Sequence, residues 1–135
     1  MRMADEKTFT ALFLRVDRTG EVYQGYLSSA KDNFPYFRSY VGGTVEIQCL
    51  TDELVAFFNR DNRGRENRVL YDKYGNNLRV IYGDILCCKV KNGNFCDINE
   101  EEANICLTYL KPAVSLTGMP QIVTLKKAGD KNEKD

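Results

Sequence analysis

Four arginines surround one glycine in the stretch Asn59–Arg68: Arg60, Arg63, Arg65 and Arg68 around Gly64, with Asp61 and Glu66 between them. Guanidinium groups grip phosphate and carboxylate in a planar two-point fork, and a glycine lets backbone come close to a ligand. Lys73 and Arg79, set against Asp72, extend the positive stretch. Tyr71 and Tyr74 sit beside it, and an aromatic ring next to arginine suits stacking on a nucleobase. The expected chemistry is recognition of a nucleotide, a phosphate or an acidic partner by Arg60, Arg63, Arg65, Arg68, Tyr71 and Tyr74. The same residues also read as a solvated loop with local ion pairs.

Other reactive residues point less clearly to a site. Histidine is absent from the 135 residues, which removes the commonest general base and metal ligand and every Ser-His or Cys-His arrangement within one chain. The five cysteines (Cys49, Cys87, Cys88, Cys96 and Cys106) contain no CxxC pair. Cys87 and Cys88 are adjacent on a strand pattern, so they point to opposite faces and do not share an ion; core packing is the expectation for the set. No metal, cofactor or catalytic residue is expected, and the chain is not read as an enzyme. Asp97, Glu100, Glu101 and Glu102 form an acidic pole that a helix start explains. Eight tyrosines are spread along the chain, a residue common both in binding surfaces and in ordinary sheets.

Charge and length narrow the class. Lys plus Arg and Asp plus Glu are both 19, for a formal net charge of zero, a balance that disfavours a protein living on a nucleic-acid backbone. The length suits one domain with its own core. The first residues lack an apolar leader core and no run reaches membrane-spanning length; with an odd cysteine count this gives a reducing, cytoplasmic location as the expectation.

The elements that would position the arginines are legible as periodicities. Thr8–Val16 reads as a strand apolar on both faces, Phe9, Ala11 and Phe13 against Leu12, Leu14 and Val16, hence a central strand. Glu21–Leu27 reads as a return strand or arm. Asn33 caps a short helix with Pro35 in its first turn, running to Tyr40 and stopping at Gly42-Gly43; Ser29–Asn33 adds an irregular turn before it. Thr44–Leu50 alternates, with Val45, Ile47 and Cys49 on the apolar face and Thr44, Glu46 and Gln48 on the wet one, and turns at Thr51–Glu53 into Leu54–Phe58. Asn59–Arg68 is a polar loop, and Val69–Asp72 one helical turn. Leu78–Tyr82 and Asp84–Val90 are strands, the second internal, and Asn92-Gly93 turns into Phe95–Ile98. Asn99 caps a second helix, Glu102 completes a capping box, Ile98 staples onto Ala103, and Ala103, Cys106, Leu107 and Leu110 form its buried stripe until Pro112. Gln121–Leu125 is a late strand or arm.

Tyr40-Val41-Gly42-Gly43, Val45-Glu46-Ile47, Ala56 with Phe58-Asn59, then Gly64, Asn67, Asp72, Gly75-Asn76 and Ile81 with Gly83-Asp84 together resemble a bacterial family of small domains of unknown function. That family is frequent in phages, plasmids and conjugative elements of Firmicutes, and the resemblance spans residues 8–110. It implies a mobile-element protein in a bacterial cytoplasm and no catalytic residue. Its glycines, Asn59, Asn67 and Asp72 read as turn and cap residues. The Arg-rich loop, the Cys87-Cys88 pair and the residues after Pro112 depart from the pattern.

The expected architecture is a single α+β domain: a mixed or mostly antiparallel sheet of about five to six strands with two helices packed on it. Residues 1–7 form a flexible N-terminus, 8–112 the domain, 113–127 a C-terminal arm and 128–135 a disordered tail. The expected function is a non-catalytic, homo-oligomeric binding protein that counters a host defence by sequestering a nucleotide-type signal. An inhibitor of a host defence protein such as a nuclease, or a nucleic-acid accessory factor, are the alternatives.

Overall fold

The computed structural model describes residues 7–16, 26–61, 64–113 and 126–127. Their order is β1 (Thr8–Leu14), β2 (Tyr26–Lys31), α1 (Phe34–Val41), β3 (Val45–Cys49), β4 (Leu54–Asn59), β5 (Glu66–Tyr71), β6 (Asn77–Tyr82), β7 (Ile85–Lys91), β8 (Asn94–Cys96), α2 (Glu100–Tyr109), β9 (Leu110–Pro112) and β10 (Lys126–Lys127). The fold is α+β and its strands divide between two sheets. The larger runs β10-β2-β1-β7-β4-β3, with β8 also on β7; the smaller is β6-β5-β9. Every pairing is antiparallel except β10 on β2.

β7 is the spine of the larger sheet. Its start pairs with β1 and its end with β8 along one edge, while β4 occupies the other. Where β1 leaves β7, Thr10 stays satisfied: its N–H donates to an Asp97 carboxylate oxygen at 2.7 Å, and its carbonyl accepts from Ile98 N–H at 3.0 Å. Buried backbone groups need such partners wherever a ladder stops.

Both faces of this sheet are covered, as the two-sided apolar pattern of β1 predicts. On one face Phe9, Ala11, Phe13, Val55, Phe57, Leu86 and Cys88 pack with Phe37 and Val41 of α1. The Phe37 ring stacks on Phe57 at 5.0 Å and meets Phe95 edge-on at 5.2 Å. On the other face Leu12, Leu14, Ala56, Phe58, Ile85 and Cys87 pack with Leu70 and Ile81 of the small sheet and with Ala103 and Cys106 of α2. Cys87 and Cys88 thus face opposite cores, while Cys49 is exposed and Cys96 half-buried, so core packing describes three of the five.

The helix ends follow local chemistry. Gly42 takes φ 84°, the left-handed turn that an L side chain resists, and both Gly42 and Gly43 N–H donate to Arg38 carbonyl. Asn33 occupies the N-cap position of α1, although its side chain makes no capping bond. α2 has the full box: Glu102 N–H donates to Asn99 Oδ1 at 2.7 Å, and Asn99 N–H to Glu102 Oε1 at 3.0 Å.

Four expectations are corrected. Residues 69–72 are not a helical turn: Val69–Tyr71 belong to β5, which pairs with the next strand β6 and with the distant β9. The loop after β4 is shorter than the polar run, because Asn59 ends β4 and Glu66–Arg68 begin β5. Ser29–Lys31 are not an irregular turn before the helix but the second half of β2. α2 stops at Tyr109, and Leu110–Pro112 is already strand β9. The expected strand or arm at Gln121–Leu125 and most of Glu21–Leu27 lie outside the described residues.

Candidate ligand cleft

The end of α1, the turn between β4 and β5, and the turn between β6 and β7 meet around a cleft of about 590 Å³. Ser39, Tyr40, Val41 and Gly42 form one wall; Asn59, Gly64, Arg65, Gly83, Asp84 and Val16 complete it. The volume falls in the range of small-molecule sites, roughly 300–1,000 Å³.

Each wall is fixed by named bonds. Asn59 is buried; its Nδ2 donates to Val41 carbonyl at 3.3 Å and its Oδ1 accepts from Asp61 N–H at 2.7 Å, tying the end of β4 to the end of α1. Gly83 N–H donates to Arg65 carbonyl at 2.8 Å, joining the two turns. Asn67 is fully buried, and its Nδ2 donates to Leu14 carbonyl at 3.0 Å and Gly83 carbonyl at 2.7 Å. Asp84 Oδ1 accepts from Val16 N–H at 3.0 Å, and Oδ2 stands 3.7 Å from Arg15 Nη2. The carboxylate of the cleft is therefore already engaged, while Arg65 is exposed at its edge.

The six residues expected to form one site do not come together. Arg65 lines the cleft, and Arg60 is exposed directly after Asn59. Arg63 lies outside the described residues. Arg68 is a correction: it is 1% exposed, inside β5. Burial lowers its pKa to about 10, opposed by a smaller influence of neighbouring Cys87. It shares a face of β5 with Leu70, two residues on, so its long stem faces the inter-sheet core rather than solvent.

Tyr71 closes the far end of β5, six residues beyond Arg65, roughly 20 Å away at strand rise. It lines a separate depression of about 400 Å³ with Asp72, Lys73, Gly75, Thr108, Tyr109 and Lys111. Tyr74 is 78% exposed, with Lys73 Nζ 5.4 Å from its ring centre. Asp72 organises that turn, accepting from the N–H groups of Tyr74 and Asn76 and from the Asn76 side-chain amide. The Asn76 backbone and side-chain bonds hold its carboxyl below the ordinary value.

Sequence reasoning missed Ser39, Tyr40 and Asp84 as lining residues. Tyr40-Val41-Gly42 was legible as a helix end, but its meeting with Gly83-Asp84 follows from β4 pairing with β7, a contact with no local signal. Tyr40 is positioned by its hydroxyl, which accepts from Lys31 N–H at 3.1 Å, and by edge-on packing against Phe13 at 5.3 Å. Among the described residues no three Cys, Asp or Glu side chains gather as a metal site, and no helix is long and apolar enough to cross a membrane. Comparisons with protein-family models, with curated proteins and with solved structures find no match.

Proposed function

We propose that this protein is a non-catalytic binding protein whose ligand is a nucleotide held in the cleft beside Arg65. The observation that carries the reading is the chemical asymmetry of the cleft. One wall is the C-terminal end of α1, rich in carbonyls and carrying the negative end of the helix dipole. The lining also includes the exposed Arg65, with Asp84 already engaged by Arg15 and Val16 N–H.

A bare phosphate gains little at a helix C-terminus. A nucleotide suits both features, since its base offers N–H donors to carbonyls while its phosphate takes the guanidinium fork. The aromatic residue available for contact with the base is Tyr40, in place of Tyr71 and Tyr74. The absence of histidine from the chain and the prior engagement of Asp84 support binding over catalysis, because acid/base chemistry needs a group free to move a proton.

The resemblance to domains of phages and plasmids supports a mobile-element role in the bacterial cytoplasm, the ligand being a nucleotide signal of a host defence. Isothermal titration of the full chain against a panel of cyclic and linear nucleotides tests the reading. Saturable heat with one of them supports it, and no heat with any of them refutes it.

A further inference from the structure

The two ends of the large sheet are treated differently. At one end β10 lies along β2, so the chain covers that edge with Lys126–Lys127. At the other end β3 is the last strand, and among the described residues nothing pairs with its outer side. An open strand edge is a template for another strand unless lysine, proline or a bulge blunts it. β3 reads Val-Glu-Ile-Gln-Cys and pairs with β4 without a register shift, so it has none of these.

The pairing identifies which groups face outward. Arg60 N–H donates to Thr44 carbonyl at 2.8 Å and Leu50 N–H to Leu54 carbonyl at 2.7 Å. Both bonds keep the β3–β4 register, in which Glu46 faces Phe58 and Gln48 faces Ala56. Antiparallel ladders alternate bonded and non-bonded pairs, so the even-numbered residues bond to β4. Val45, Ile47 and Cys49 turn their N–H and C=O outward, where Cys49 carbonyl accepts from the Gln48 side chain at 3.1 Å.

Ile47 stands at the centre of this edge and is 56% exposed, although it faces Phe57 in register on the α1 side of the sheet. The sequence pattern gives Val45, Ile47 and Cys49 a common buried face; the structure leaves Ile47 and Cys49 outside, because α1 reaches only as far as Val45. The other face of the strand is occupied: Glu46 binds Arg79 of β6 at 3.0 Å, and Arg79 lies over the Phe58 ring at 5.0 Å.

We propose that β3 is the interface for a second copy of this chain, paired antiparallel about a two-fold axis through Ile47 so that the large sheets of the two copies become one. The register is self-complementary. Ile47 meets its own counterpart, Val45 meets Cys49, and Glu46 meets Gln48, so no like charges face each other. All the outward backbone groups of Val45, Ile47 and Cys49 then have partners. This self-complementary register, in which the one charged residue of the strand, Glu46, meets a neutral Gln48, favours a second copy over an arbitrary apolar strand.

Sedimentation velocity of the full chain from about 1 to 100 µM, the range of micromolar association, tests the proposal, with Ile47→Lys and Ile47→Cys/Cys49→Ser beside it. Ile47 is a surface residue, so the circular dichroism of Ile47→Lys should match the wild type, and its melting should match the wild type diluted to monomer. The expected result is a species of twice 15.4 kDa for the wild type and monomer alone for Ile47→Lys. In Ile47→Cys/Cys49→Ser, mild oxidation should give a disulfide-linked dimer, since bonded antiparallel pairs place Cα atoms about 5.5 Å apart, within disulfide range. A monomeric wild type, a dimer that persists in Ile47→Lys, or a dimer of the double variant whose introduced thiols do not cross-link overturns it. The readout is mass, so it succeeds or fails separately from nucleotide binding in the cleft.

Discussion

Asn59 Nδ2 stands 2.8 Å from the point where a Cβ on Gly43 would lie. The two residues of the Gly42-Gly43 pair therefore serve different ends. Gly42 supplies the left-handed φ that ends α1, and Gly43 leaves room for the Asn59 amide that holds Val41 carbonyl.

Gly43→Ala should destabilise the protein by about 1–3 kcal/mol, the usual range for overpacking, read by urea denaturation. The cost should be smaller in an Asn59→Ala background, because the atom it collides with has gone. Equal costs in both backgrounds would show that the contact is not the cause.

The arginines should separate into a structural and a surface class. Arg68 is buried in β5, so Arg68→Ala should cost about 3 kcal/mol through lost packing and a cavity. Arg65→Ala should stay within about 0.5 kcal/mol, as exposed substitutions do. Denaturant midpoints of the two variants check this, and a comparable loss for both would place Arg65 in the core framework as well.

Glu102 connects α2 to the sheet, with Oε1 in the capping box and Oε2 2.7 Å from Lys89 Nζ of β7. Burial raises its pKa, but Lys89 and the Asn99 N–H outweigh this and leave it below its ordinary 4.5; the Glu102 hydrogen bond raises Lys89 above 10.5. A depressed carboxyl stabilises the fold above about 4.5 and loses that effect as pH falls through its lower folded value. A raised ammonium stabilises below about 10.5 and loses it as pH rises through its higher folded value.

Glu102→Gln keeps a capping-box side chain and removes the charge. It should cost under about 1 kcal/mol at pH 7, since the pair is partly exposed. The gap to wild type should narrow as pH falls below 4.5 and through the lower folded value, which melting curves across pH will measure. A gap that persists in acid would mean that the ion pair contributes nothing.

Elements with a local signal were legible in the sequence. The Asn99–Glu102 box, the Gly42 stop and the two-faced apolar pattern of β1 each depend on residues a few positions apart, and each forms as expected. β5 was not legible, because its Glu-Asn-Arg start is polar and, although β6 follows it directly across the Asp72–Asn76 turn, its other partner β9 is some forty residues away. The same gap hid the cleft. Composition groups Arg65, Arg68 and Tyr71, whereas strand geometry sends Arg68 into the core and moves Tyr71 to the far end of β5. The pairing of β5 with β6 sets Gly83-Asp84 beside Arg65, and the pairing of β4 with β7 brings the end of α1 to them. β3 misled in the opposite sense: its alternation was correct, but its position at the sheet edge decides which apolar residues find cover.

The most direct measurement is isothermal titration of wild type, Arg65→Ala and Tyr71→Ala with whichever nucleotide of the panel gives heat. A charge-assisted hydrogen bond contributes about 1.5–3 kcal/mol, so Arg65→Ala should weaken binding about tenfold or more while Tyr71→Ala leaves it unchanged. Undiminished binding in Arg65→Ala, or loss in Tyr71→Ala alone, would contradict a site between the end of α1 and Arg65.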